Sequence, residues 1–158
     1  ELGMLLGQAS IRLIYGGGNV GLMGVLADSV MGAGGQVSGV IPQFLLEKEV
    51  GHRGITHLEV VESMHERKQR MAGLADAFIA LPGGWGTLEE LSEILTWKQL
   101  GLITQPIFIL NTNLFFDPLL GQMRLMVKEG FLQRGYLKLM QVESAPGSIV
   151  SLLTAAGA

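Results

Sequence analysis

Ala77-Phe78-Ile79-Ala80-Leu81-Pro82-Gly83-Gly84-Trp85-Gly86-Thr87-Leu88-Glu89-Glu90 is the stretch on which the fold turns. Its first five residues form an apolar run with the length of a buried strand, and Leu88 to Leu100 has helical spacing. The glycines between them allow a tight turn and a close approach of backbone to a ligand. Free N–H groups at the helix start, with the positive end of its dipole, then favour an anion such as a phosphate. Glu89 and Glu90 are expected in the first turn of that helix. The pattern points to a phosphorylated substrate with acid–base chemistry beside it.

Outward from this loop, strand and helix patterns alternate. Ile11–Tyr15 is a short β-rich run followed by Gly16-Gly17-Gly18, and Val20–Met31 carries apolar residues at helical spacing. Gln36–Ile41 reads as a second strand stopped by Pro42, which completes a βαβ unit. Further strands are expected at about His57–Val61, Ala77–Leu81, Pro106–Leu110 and Leu139–Val142. Helices are expected at about Met64–Ala75, Leu88–Leu100, Leu114–Lys128 and Ser148–Ala155. Strands rich in Ile, Val and Phe that alternate with helices predict an α/β, doubly wound parallel sheet with helices on both faces. Residues 1–158 fit one such domain. Glu1–Ala9 reads as a helix feeding the first strand, and a doubly wound domain would carry another strand before it. That strand is expected ahead of residue 1.

Composition excludes several function classes. The chain has no cysteine, so disulfides, thiolate catalysis and cysteine-held metals are ruled out. Its three histidines, His52, His57 and His65, form no HxxxH pair, so no metal site is expected. A net charge of −3 argues against a nucleic-acid partner that must be gripped by its phosphates. The uncharged runs 29–46 and 99–116 are broken by glycine, proline and asparagine, so no membrane span is read and a cytoplasmic protein is the default. Apolar residues make up 48% and charged residues 16%, a sparsely charged surface that fits a subunit of an oligomer.

Three motifs carry the chemistry, and each has a plainer structural alternative. Gly16-Gly17-Gly18-Asn19-Val20-Gly21 satisfies G-x-G-x-x-G between strand and helix. The next strand ends Ser38-Gly39-Val40-Ile41-Pro42 with no acid for a ribose hydroxyl, which argues against NAD. Phosphate contact through Gly17 and Gly18, or close helix–sheet packing, both remain open. In Pro82–Glu90 the alternative is a capping box with Thr87 as N-cap and Glu90 as its partner. That alternative does not explain Gly83, Gly84 and Gly86 together. Ser63-Met64-His65-Glu66-Arg67-Lys68 starts a charged helix after a strand. It is either a solvated face or, at the carboxyl edge of the sheet, a source of cations facing the glycine loops.

Taken together, Tyr15–Gly24, Ser63–Lys68 and Leu81–Glu90 resemble the LOG ("Lonely Guy") proteins, cytokinin riboside 5′-monophosphate phosphoribohydrolases long mislabelled as lysine decarboxylases. The likeness extends over essentially the whole chain, including Thr96-Trp97-Lys98-Gln99-Leu100-Gly101 and Glu129-Gly130-Phe131. It implies a Rossmann-like homodimer without a cofactor that cleaves nucleoside 5′-monophosphates, AMP and N6-prenylated relatives, to free base and ribose 5-phosphate. Arg67 and Glu90 match the catalytic pair. Glu49, Arg67, Lys68, the loop Gly84, Trp85, Gly86, Thr87, Leu88, Glu89, Glu90, and Thr96 match nucleotide-binding positions, to which the residue reading adds Gly17, Gly18 and Gly83. Trp85 stands where the family often has tyrosine. The competing readings are a nucleotide or molybdenum-cofactor binder without chemistry, a PLP-dependent lysine decarboxylase and an NAD-linked enzyme. No residue resembles a Schiff-base lysine in a PLP site.

Overall fold

A computed structural model describes residues 1–48 and 51–156. Its contacts divide the chain into two compact units, Glu1–Ala75 with Val150–Ala158, and Asp76–Ile149.

The first unit holds α1 (Leu2–Gln8), β1 (Leu13–Tyr15), α2 (Leu22–Gly32), β2 (Val37–Pro42), α3 (Gln43–Leu46), β3 (His57–Val61) and α4 (Met64–Leu74). Its three strands are parallel in the order β1-β2-β3, with Tyr15 opposite Gly39 and Pro42 opposite Val61. β2 is central and buried along its whole length, which explains why Val37, Val40 and Ile41 carry no alternation with polar residues. Small residues bring α1 against α2. A Cβ on Gly3 would stand 2.8 Å from Leu26 O, and one on Gly7 would stand 2.7 Å from Val30 O, so both positions need glycine for close packing.

The second unit holds β4 (Phe78–Ala80), α5 (Trp85–Gln99), β5 (Ile107–Leu110), α6 (Asp117–Lys128) and β6 (Met140–Glu143), and α7 (Pro146–Ala156) begins in it. Its sheet is again parallel, in the order β4-β5-β6. Ala80, Leu91, Ile107, Ile109 and Phe116 form its core, with Ile94, Leu95 and Leu120 packed on them. Leu91 is the α5 residue buried in that core, so the helix is anchored one turn past its glycine-rich start.

The α/β class and the parallel pairing follow the sequence expectation, as two three-stranded sheets with helices around them. Two helix starts differ most, by three residues each. α5 begins at Trp85 rather than Leu88, because Gly84 is the non-helical N-cap and Gly86 is tolerated inside the first turn. α6 begins at Asp117 rather than Leu114. Asn111 is the cause: its Oδ1 accepts from Phe116 N (2.7 Å) and its Nδ2 donates to Asp117 Oδ1 (2.8 Å), while Asn113 and Leu114 turn left-handed (φ 54° and 60°).

Candidate functional site

In the first unit the glycine loop follows β1 and the Ser63 motif follows β3, so both leave the carboxyl edge of one parallel sheet. Ser63 is the N-cap of α4 and its hydroxyl accepts from Glu66 N at 3.1 Å. Glu66 reaches back to accept from Glu62 N at 2.9 Å. This reciprocal cap fixes the first turn of α4 and with it the direction of Arg67.

Arg67 is 8% exposed, a burial that an arginine tolerates only when its donors are used. Its Nε donates to Val40 O at 3.2 Å. Its guanidinium also fills the space beside Gly16, where any Cβ would overlap Nη2. The solvated-face alternative therefore fails for Arg67, which is turned inward against the glycine loop. Lys68, next along the helix, is half-buried.

Gly17 has φ 75° and is buried, with Leu58 Cδ1 and Ile41 Cβ close to where a Cβ would lie. Gly39 approaches it from β2, so at Gly17 close packing is a real constraint. Gly18 is buried and bridges antiparallel to Gly51. Glu49 lies outside the described residues.

In the second unit Leu81 to Gly84 leaves β4 and α5 follows at once. The capping box expected at Thr87 and Glu90 is not formed. With Gly84 as N-cap, Thr87 falls inside the first turn and Glu89 and Glu90 in the second, and the first turn carries no acid and no side-chain cap. Its N–H groups are thus left to water or a ligand. The Thr87 side chain occupies the room a Cβ on Gly83 would take, whereas Gly84 and Gly86 face open space. Trp85 is 87% exposed, Leu88 and Glu90 are half-buried, and Glu89 is exposed. Thr96, two turns on, is exposed and donates to Ser92 O at 2.8 Å. It borders an apolar groove of about 280 Å³ lined by Leu95, Met123, Met126, Tyr136 and Met140.

Two groups near the first glycine loop were not singled out for function from the sequence. Burial pushes the Tyr15 hydroxyl up to about 12, and the negative charge of Asp28 adds to the shift. His52 is 7% exposed and pairs with Asp28 at 3.0 Å. The available signal was a histidine inside Gly51-His52-Arg53-Gly54, a setting that favours a turn. Among the described residues no group of three or more histidine or acidic side chains is placed to hold a metal, and no helix is long and apolar enough to cross a membrane.

Residues 23–153 match the family model described as "Possible lysine decarboxylase". The cytokinin riboside 5′-monophosphate phosphoribohydrolase LOG of Oryza sativa subsp. japonica is 49% identical over 132 residues, covering 84% of this chain and 54% of that protein. A protein of the same description from Rhodococcoides fascians is 49% identical over 132 residues, covering 83% of this chain and 67% of that protein. The chain thus spans about half to two thirds of the length of these relatives. Among solved structures, the molybdenum cofactor binding protein of Rippkaea orientalis matches with a TM-score of 0.72 at 21% identity, covering 99% of this chain and 84% of that one. That likeness carries the fold. With a family model over most of its length and relatives at nearly half identity, the chain belongs to the LOG family, whose model still bears the lysine decarboxylase description.

Proposed function

We propose that the chain hydrolyses the N-glycosidic bond of nucleoside 5′-monophosphates, AMP and N6-substituted cytokinin ribotides, to free base and ribose 5-phosphate. The observation that carries this reading is Arg67, a buried guanidinium pinned between Val40 O and Gly16 at the carboxyl edge of a parallel sheet. A buried cation held beside a glycine loop is suited to an anionic substrate. The uncapped first turn of α5 supplies backbone donors for a phosphate, with Gly83, Gly84, Trp85, Gly86, Thr87 and Leu88 around it. The names of the 49%-identical relatives point to the same chemistry.

In the reaction the bond from ribose C1′ to the base nitrogen breaks, water supplies hydroxyl to C1′, and the base leaves with a proton. Positive charge develops on the sugar, as in glycoside hydrolysis. Glu90 takes the role of the carboxylate that stabilises this charge or activates the water. Arg67 orients substrate, and Lys68, Glu49, Glu89, Thr96, Gly17 and Gly18 complete the binding set. Affinity for the 5′-phosphate positions the sugar. The apolar groove beside Thr96 supports an apolar N6 substituent over bare AMP. Exposed Leu100, Leu102 and Phe131 support a homodimer. A nucleotide substrate fits a cytoplasmic setting.

The test is a product assay on AMP against isopentenyladenosine monophosphate, with adenosine as control. Free base from both monophosphates and little from adenosine supports the reading. Nucleotide binding without base release overturns it in favour of a binding protein without chemistry, the kind of protein the structural neighbour is described as.

A further inference from the structure

Asn111 stands where β5 ends and is 7% exposed. Its backbone N–H donates to Glu143 O on β6 at 2.7 Å. The Phe116 N–H can only donate, so the side-chain Oδ1 is the group that accepts from it at 2.7 Å. Nδ2 is left for Asp117 and donates to its Oδ1 at 2.8 Å. An aspartate at 111 would keep the first bond but set a second carboxylate against Asp117. The turn is therefore closed by the Asn111 side chain itself, across the left-handed pair Asn113 and Leu114.

That closure decides where Phe116 enters the core. Phe116 is 1% exposed and belongs to one cluster with Ala80, Leu91, Ile107 and Ile109. Two of these flank the glycine-rich loop: Ala80 ends β4 just before it, and Leu91 is the buried residue of α5 just after it. Glu90 immediately precedes Leu91. Interiors packed this densely transmit a shift instead of absorbing it, so a displaced Phe116 moves both supports of the loop. A rate falls steeply when a reacting group is misplaced by about 1 Å. AMP affinity is spread over many contacts and depends less on one carboxylate.

We propose that Asn111 is a positioning residue for the reaction: by fixing Phe116 in the cluster with Ala80 and Leu91, it sets the start of α5 and with it the placement of the Glu90 carboxylate. This rests on the hydrolase reading above, in which Glu90 acts at the sugar carbon. The effect falls on kcat, with affinity for AMP largely kept.

The experiment compares unmutated protein with Asn111→Ala, Asn111→Asp, Glu90→Gln and the double variants Asn111→Asp/Asp117→Asn and Asn111→Ala/Glu90→Gln. It reads Tm, the Kd for AMP, and kcat for base release at a temperature where each variant is fully folded. Asn111→Ala is expected to lose at least about tenfold in kcat with Kd within about threefold. Asn111→Asp is expected to lose as much. Adding Asp117→Asn restores the pair with donor and acceptor exchanged, and kcat is expected to return to within about threefold of the parent. Asn111→Ala is expected to cost little further in the Glu90→Gln background, since residues that act through one group do not add. A lowered Tm with parental kcat overturns the proposal and leaves Asn111 a purely structural residue. Equal losses in affinity and kcat, a slow Asn111→Asp/Asp117→Asn variant, or full additivity with Glu90→Gln also overturn it. If Asn111→Ala does not fold, the two aspartate variants decide by the same criteria. A chain that folds with neither single substitution at 111 overturns it, because the amide then serves the fold and not the site. Unmutated protein that releases no base overturns the hydrolase reading and this proposal with it, whereas an active parent matched by an equally active Asn111→Ala overturns this proposal alone.

Discussion

The guanidinium of Arg67 occupies the space that any side chain at Gly16 would need. The two residues come from different strand ends of the same sheet, so the contact couples the glycine loop to the start of α4. Gly16→Ala must therefore either displace Arg67 or open the loop. Overpacking of this kind costs about 1–3 kcal/mol. A thermal melt is expected to show that loss. Base release from AMP is expected to fall at least tenfold even at temperatures where the variant is fully folded. A variant with unchanged melting and unchanged turnover would show that the close approach matters to neither stability nor the reaction.

Glu90 separates the two things the α5 start is asked to do. It lies in the second turn of α5, beyond the N-cap Gly84 and outside the first turn. Glu90→Gln is expected to hold AMP with near-normal affinity while losing about 10²–10⁴-fold in turnover, the range for a positioned acid–base group. Single-turnover base release alongside a binding isotherm makes the comparison. Near-normal release would take Glu90 out of the mechanism.

Much of the architecture is legible in local pattern, and the failures have identifiable causes. β3 appears at His57–Val61 as expected, and β2 reads correctly because a central parallel strand is apolar on both faces. α5 starts earlier than its apolar periodicity because Gly84 and Gly86 look like loop, although only Gly84 lies outside the helix. The start of α6 depends on Asn111, whose side chain replaces a turn of helix with hydrogen bonds to Phe116 and Asp117. No periodicity carries that information. The glycine motifs were visible, and Arg67 facing the glycine loops was one of two open readings; what decides for it are its contacts with Val40 and Gly16, both far away in the chain. His52 stayed hidden for the same reason: its partners lie on α2 and the first glycine loop.

Tyr15 offers a pH-dependent prediction. Its hydroxyl is buried without a hydrogen-bond partner among the described residues, and burial with the Asp28 charge raises its pKa to about 12. An unfolded tyrosine ionises near 10. Between these values the unfolded chain has released a proton that the folded chain keeps. The stabilisation is thus complete below about pH 10 and is lost as pH rises toward 12. Tyr15→Phe removes both the unpaired hydroxyl and this dependence. Chemical denaturation is expected to find it at least as stable as the parent at pH 7, with a growing advantage above pH 10. A Tyr15→Phe variant that loses more than about 1 kcal/mol at pH 7 would reveal a partner for the hydroxyl.

Leu114 sits in a left-handed conformation (φ 60°) directly after Asn113 (φ 54°), and its side chain is 64% exposed. A leucine there costs about 1–2 kcal/mol in backbone strain and recovers little by burial. Glycine relieves the strain but adds about 0.5–1 kcal/mol of unfolded-state entropy. Leu114→Gly is therefore expected to stabilise the protein by about 1 kcal/mol or less, seen as a rise of a few degrees in Tm. Leu114→Ala keeps the strain and is expected to give no rise, which separates backbone relief from loss of an exposed apolar group. The loop follows β5, whose neighbour β4 leads into the α5 start, so base release should be measured on the same variants. A higher Tm with unchanged turnover identifies the strain as a local cost of the Asn111 turn. A higher Tm with reduced turnover would show that the strained loop serves the reaction.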